Sequence, residues 1–226
     1  LLRILPLAAL GVALAGGVPA EASATSAPAA TLDAPFLWRI DGGDKPSYLF
    51  GTIHAGVGAS ELSPLVGDAI ESSDLFVMET APANFLTTRF PSEVPMDIEL
   101  ARSAHRGGTP VATLESMKFQ LSLLAQLGST EELAAMLADD SRAIEPLVDA
   151  YRGGELATIE AVTDMGDAGF RDVLLTQRNH RWVHKLDKVL ARGGAFVAVG
   201  VGHCPGEQGL LELFEERGYT LERALT

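Results

Sequence analysis

Two histidines arrive in this chain by the same device. Tyr48-Leu49-Phe50-Gly51-Thr52-Ile53-His54 and Ala195-Phe196-Val197-Ala198-Val199-Gly200-Val201-Gly202-His203 each read as a short apolar strand running into Gly-x-x-His. In an open α/β sheet, ligands and reacting groups gather beyond the carboxyl ends of the strands, so two imidazoles delivered there can converge on one site. A third run of this kind, Leu75-Phe76-Val77-Met78-Glu79, ends in a carboxylate. Two imidazoles and a carboxylate are the ligand types a divalent transition metal takes, with one position left for a water whose pKa falls to about 7 on zinc. The same side chains also permit a metal-free route, in which one histidine activates water as a general base and Glu79 orients it or acts as an acid. The residue types leave both routes open.

A fourth group comes from a helix. Between about Gly169 and Leu190, the apolar residues Phe170, Leu174, Trp182, Leu186 and Val189 or Leu190 recur at spacings of three or four, and Arg178 takes the place between Leu174 and Trp182. A buried arginine needs a carboxylate, a ligand or water to meet it, because an unpartnered charge costs several kcal/mol. Glu79, Glu115 or substrate are the expected partners, and Arg178 would hold a carboxylate or a developing oxyanion. The remaining histidines, His105, His180 and His184, fall on helices and are expected at the surface. Cys204, the single cysteine, directly follows His203 and is expected to fill a tight turn.

Positioning these residues requires an α/β domain. Phe36 to Ile40, the turn Asp41-Gly42-Gly43-Asp44-Lys45-Pro46 and Ser47 to His54 predict an antiparallel hairpin. A short helix follows from Ser63-Pro64 to about Ser72, then a strand from Asp74 to Glu79, a helix from about Met96 to His105, and a strand from Val111 to Leu114 that ends at Glu115. Helical periodicity dominates from Phe119 to Val148, until Gly153-Gly154 breaks it. Last come the strand Ala195 to Val199, a helix from Glu207 to Arg217, and a strand from Tyr219 to Arg223. The expected class is a central mixed sheet flanked by helices, with the site at the carboxyl ends of strands.

The start of the chain reads differently. Residues 1–24 hold Arg3, an apolar run from Ile4 to Ala15, and small-x-small cleavage options after Ala20 or Ala24, the form of a secretory signal peptide. The run is shorter than the roughly 20 residues a membrane span needs, so a secreted or periplasmic protein without a stable span is expected. Residues 25–35 read as a disordered connector and 36–226 as one domain. A net charge of −13 with no clustered Lys or Arg argues against nucleic acid as a partner. A Gly-x-Ser-x-Gly elbow, a Walker loop and a dinucleotide-binding glycine motif are all lacking.

Several phrases together resemble the TraB/GumN family: Leu37-Trp38-Arg39-Ile40, the Gly51 to His54 motif, Val77-Met78-Glu79, Pro110 to Glu115, Arg178-Asn179-His180-Arg181-Trp182, and Val197 to Leu210. That family includes plasmid pheromone-shutdown proteins and is related to the Tiki proteases. The resemblance implies a fold shared with erythromycin esterase and the haem-binding ChaN proteins. It also implies a site built from His54, Glu79 and His203, with Arg178 and Asn179 at the family's polar helix positions. In the Tiki branch it implies metal-dependent peptide hydrolysis, with His54, His203 and Glu79 holding a divalent ion such as manganese, cobalt or zinc. A different class of function also fits: a binding protein that sequesters a peptide, a small molecule or haem without turnover. Between about Ala81 and Met96 the chain is shorter than the family's usual helical insertion.

Overall fold

The computed structural model describes residues 31–54, 56–81, 84, 86, 94–127, 145–164 and 168–225. The leader-like residues 1–24, residues 128–144 of the helical stretch, and most of the shortened segment between 81 and 96 lie outside the described residues. The elements are β1 (Leu37–Asp41), β2 (Ser47–Thr52), α1 (Pro64–Glu71), β3 (Leu75–Met78), α2 (Met96–Arg106), β4 (Val111–Thr113), α3 (Met117–Leu127), α4 (Glu145–Gly153), α5 (Leu156–Asp164), α6 (Ala168–Arg171), α7 (Gln177–Arg192), β5 (Ala195–Gly200), α8 (Leu210–Glu215) and β6 (Thr220–Arg223). The six strands form one sheet in the order β4-β3-β5-β2-β1-β6. Four of them, β4, β3, β5 and β2, run parallel, while β1 is antiparallel to both β2 and β6. The expected mixed α/β sheet is therefore present.

Its centre follows from composition. All six residues of β5 are buried, as a strand covered on both faces requires, and such strands are near-continuous apolar runs. Phe196 of β5 sits between Phe50 of β2 and Phe76 of β3, with ring centroids 5.9 and 5.3 Å away. Trp182, Leu186 and Leu190 of α7 are fully buried, so the stripe read from the sequence is the face that packs. A π turn at Asp172–Thr176 precedes α7, where the Gln177 N–H donates to the Asp172 carbonyl. Such wider turns recur at functional positions in helices, and this one sits immediately ahead of Arg178.

Two glycines are required by close approach. A Cβ on Gly51 would lie 2.9 Å from Val201 Cγ2, so the first glycine of one Gly-x-x-His motif makes room for the turn that carries the other. Gly193 ends α7 at φ +71, and a Cβ there would lie 1.9 Å from the Lys45 carbonyl oxygen.

Several expectations shift. β2 stops at Thr52 and β3 at Met78, so His54 and Glu79 stand in the turns beyond the ladder. The long helical stretch contains at least α3 and α4. Helix α5 was not expected, because Leu156, Ile159 and Val162 make too short a stripe to stand out. The described end of the expected connector is pinned: Leu32 N–H donates to the Glu61 carbonyl, and the Arg223 guanidinium to the Ala34 and Pro35 carbonyls. No helix among the described residues is long and apolar enough to cross a membrane.

Candidate functional site

The parallel register decides which side chains meet. Thr52 of β2 pairs with Gly200 of β5, Met78 of β3 with Ala198 of β5 and with Thr113 of β4. One to three residues past these ends come Glu79, His54, Glu115 and His203. Along the carboxyl edge the order is thus Glu115, Glu79, His203, His54, one residue from each of four neighbouring parallel strands. Beyond β3 and β4 the pairing continues, with the Glu115 N–H donating to the Glu79 carbonyl at 2.8 Å, which sets the two carboxylates side by side.

Arg178 enters between them from α7, with 1% of its side chain exposed. Its Nη2 donates to Glu79 Oε2 at 2.5 Å and to Glu115 Oε2 at 3.0 Å. Nε donates to Glu115 at 3.1 and 3.2 Å, and Nη1 to the Leu174 carbonyl at 3.0 Å and to His203 Nε2 at 3.1 Å. A guanidinium has five N–H donors, and every one is used. Trp182 closes the network: its Nε1 donates to Glu115 Oε1 at 2.7 Å, and its ring lies 4.3 Å from the His203 ring and 4.6 Å from the guanidinium carbon. Glu79 Oε1 accepts from the Gly200 N–H at 2.6 Å.

The state of His203 follows from Asn179. The Asn179 Nδ2 donates to the Gln208 and His203 carbonyls at 2.7 and 3.3 Å, so its Oδ1, 2.6 Å from His203 Nδ1, must accept. His203 therefore carries its proton on Nδ1 and presents a lone pair on Nε2 to Arg178. Burial, the adjacent Arg178 cation and His54 all hold its pKa well below the ordinary 6.5. It is a neutral, fully satisfied histidine with no exposed side chain.

His54 is its opposite. Its Nδ1 faces Asp97 Oδ1 at 3.6 Å, and the two side chains keep 14% and 11% exposure. Its Nε2 is buried and has no hydrogen-bond partner. Burial works against the imidazolium, but the Asp97 and Glu79 carboxylates outweigh it and raise the pKa. Asp97 stands in the first turn of α2. For Glu79, burial raises the pKa, against the pull of Arg178 and His54.

This arrangement bears on the expected metal set. His203 has both ring nitrogens engaged, Glu79 has both oxygens engaged, and among the described residues no group of three or more His, Cys, Asp or Glu side chains is arranged to hold an ion. For His54, His203 and Glu79 to ligate a metal, Arg178 would have to leave both His203 Nε2 and Glu79 Oε2. The residues as placed do not fit a divalent ion. Cys204 is buried at the turn, and burial pushes its thiol up, away from the reactive thiolate. A cavity of about 320 Å³ adjoins the His203 turn, lined by Asn179, Gly202, Glu160 and Arg171 among others; His54, Glu79 and Arg178 do not line it. His105, His180 and His184 are exposed.

The sequence pointed to Arg178, and the register explains why it meets Glu79 and Glu115. Asp97 was missed, because an acidic residue in a first helical turn reads as a complement to the helix dipole. An α/β protein with histidines and glutamates gathered at the carboxyl edge of four parallel strands, around one buried arginine, is the class defined here. The profile of the TraB/PrgY/gumN family matches residues 36–91 and 87–223, and the chain belongs to that family. No curated protein and no solved structure shows significant similarity to the chain.

Proposed function

We propose that this protein is a hydrolase of amide or ester bonds, peptides foremost, that uses His54 as general base without a metal. The unpartnered, buried Nε2 of His54, with Asp97 behind its other nitrogen, is the observation that carries the reading. A general base needs one nitrogen free toward water and the other held by a group that stabilises the cation formed. As the water oxygen bonds to the carbonyl carbon, its proton passes to His54 Nε2, and the carbonyl π pair moves onto oxygen. Collapse of that oxyanion breaks the bond to the amine or alkoxide, which takes the proton back from Nε2. Arg178 and Glu79 brace the His203 turn from inside, since Arg178 has no donor left for substrate.

A panel of peptide and ester substrates, run with and without a strong chelator beside metal analysis of untagged protein, tests this. Hydrolysis should survive chelation and fall by about 10²–10⁴-fold in His54→Gln. Activity restored only by manganese, cobalt or zinc would replace this reading with the metal-dependent one. Saturable binding of peptide or haem without turnover would favour a sequestering protein.

A further inference from the structure

The phrase Val197 to Leu210 contains Pro205-Gly206-Glu207-Gln208, which has no part in the chemistry assigned to His54. These residues form one wall of the cavity of about 320 Å³ beside the His203 turn, a volume at the lower end of small-molecule sites. Other walls come from Glu160, Thr163 and Asp164 of α5, Arg171 of α6 and Leu175 of the π turn. Helix α7 adds Asn179. That residue is 2% exposed and also holds His203 Nδ1, so the cavity and the braced histidine share a wall.

The charges lining the cavity do not balance. Arg171 Nη1 donates to Asp164 Oδ1, which sets the one lining cation against one carboxylate. Glu160 and Glu207 remain, and among the described residues no hydrogen bond or ion pair engages either side chain. Glu207 is exposed and water serves it, whereas Glu160 is half-buried. The loop comes against Glu160 without donating to it: Gly206 stands at φ +85, and a Cβ there would lie 3.2 Å from Glu160 Oε1. Thr163 Oγ1 donates to the Glu160 main-chain carbonyl, so its lone pairs are left to accept. A half-buried carboxylate beside a hydroxyl with accepting capacity asks for a donor that carries positive charge.

Spacing narrows the kind of cation. Among the described residues no three His, Cys, Asp or Glu side chains are grouped to hold a metal ion. Glu160, Asp164 and Glu207 therefore share a cavity but not one coordination sphere. An ammonium is a compact charge with three donors, which one carboxylate and neighbouring lone pairs can satisfy. Leu175, 8% exposed, and Pro205 supply aliphatic wall for the methylenes behind such a charge. We infer that the cavity binds a primary ammonium on an aliphatic chain, a free alkylamine or the lysine side chain of a peptide, with Glu160 as its principal partner. This site is separate from the His54 chemistry and does not depend on the hydrolytic reading.

Titration of the full chain with cadaverine, Nα-acetyl-lysine methylamide and Nα-acetyl-norleucine methylamide, followed by proton–nitrogen NMR, tests it. At least one of the two amines should bind saturably and shift the Gly206 amide and Asn179 side-chain amide signals. The norleucine compound, which has the methylene stem without the charge, should not. Glu160→Gln should weaken binding about tenfold, and Glu207→Gln, at an exposed position, about threefold. A chain of net charge −13 gathers amines non-specifically, so Glu215→Gln, an exposed glutamate of α8 that does not line the cavity, is the control and should leave affinity unchanged. Binding of cadaverine alone assigns the site to free amines, and binding of the lysine compound alone assigns it to peptide side chains; either upholds the inference. No shift at Gly206 with either amine overturns it. So does equal weakening by Glu160→Gln and Glu215→Gln, or a norleucine compound that binds as tightly as the lysine one. Should Glu160→Gln melt at a lower temperature, Glu207→Gln carries the test, and unchanged affinity in that variant overturns the inference as well.

Discussion

The two Gly-x-x-His turns have the same sequence form and opposite physical states. At His203 every polar atom has a partner: Asn179 holds Nδ1, Arg178 meets Nε2, and Trp182 packs on the ring. At His54 one nitrogen faces Asp97 across 3.6 Å and the other is buried without a hydrogen-bond partner. A side chain whose bonds are all made contributes to the fold, whereas one whose bonds are unmade holds capacity for a ligand. The motif brings a histidine to the sheet edge, and the helix packed against that edge decides what the histidine does. Helix α7 brings Arg178, Asn179 and Trp182 to one; α2 brings Asp97 to the other.

Breaking the satisfied half should have the largest effect. Arg178→Met keeps a good helix former but leaves Glu79 and Glu115 buried without their cation, and should lower unfolding free energy by about 3–5 kcal/mol. Chemical denaturation measures it; a loss under about 1 kcal/mol would mean that the carboxylates find water. His203→Ala comes next, with a loss of about 3 kcal/mol from the ring packing and the orphaned Asn179 oxygen. His54→Ala, at the partly open side, should cost less than about 1 kcal/mol. Equal losses for the two histidines would erase the contrast. On sequence grounds both replacements looked mild, because strand-end residues pack less than strands; His203 departs from that through its burial under Trp182.

The approach to the unsatisfied half is kinetic. Asp97→Asn should leave stability nearly unchanged and slow hydrolysis by about 10²-fold, since it removes the carboxylate that raises the His54 pKa. An unaltered rate would mean that His54 needs no partner.

The histidines should also separate by pH, with smaller effects. His54 has a folded pKa raised above its ordinary 6.5, so its contribution to stability is full below 6.5 and is lost as pH climbs through the folded value. His203 has a folded pKa below 6.5, so the unfolded chain takes up a proton that the folded one refuses, and stability falls as pH drops below 6.5. Each slope is at most about 1.4 kcal/mol per pH unit. Comparing native protein with His54→Gln should flatten the curve only above 6.5, and with His203→Gln only below it. A single variant that flattens both sides would show that the two residues titrate as one.

Much of this architecture was legible because it depends on local pattern. Apolar strands ending in His54, Glu79, Glu115 and His203, and an arginine inside the α7 stripe, are visible without any knowledge of contacts. The pairing of Arg178 with Glu79 and Glu115 could be expected from charge alone. The fate of each histidine was not legible, because it depends on parallel register across β4, β3, β5 and β2 and on the π turn that precedes Arg178. Asn179 stood out only through the family resemblance, and its role followed once the Gln208 and His203 carbonyls fixed the direction of its amide.

Nitrogen-15 NMR of the imidazoles from pH 5 to 8 tests the central contrast most directly, because it reads each ring without a substrate. His203 should remain neutral across the range with its proton on Nδ1, and His54 should titrate with a pKa above 6.5. Two histidines titrating together near 6.5, or a His203 that carries its proton on Nε2, would contradict the division of the site into one braced and one reactive half.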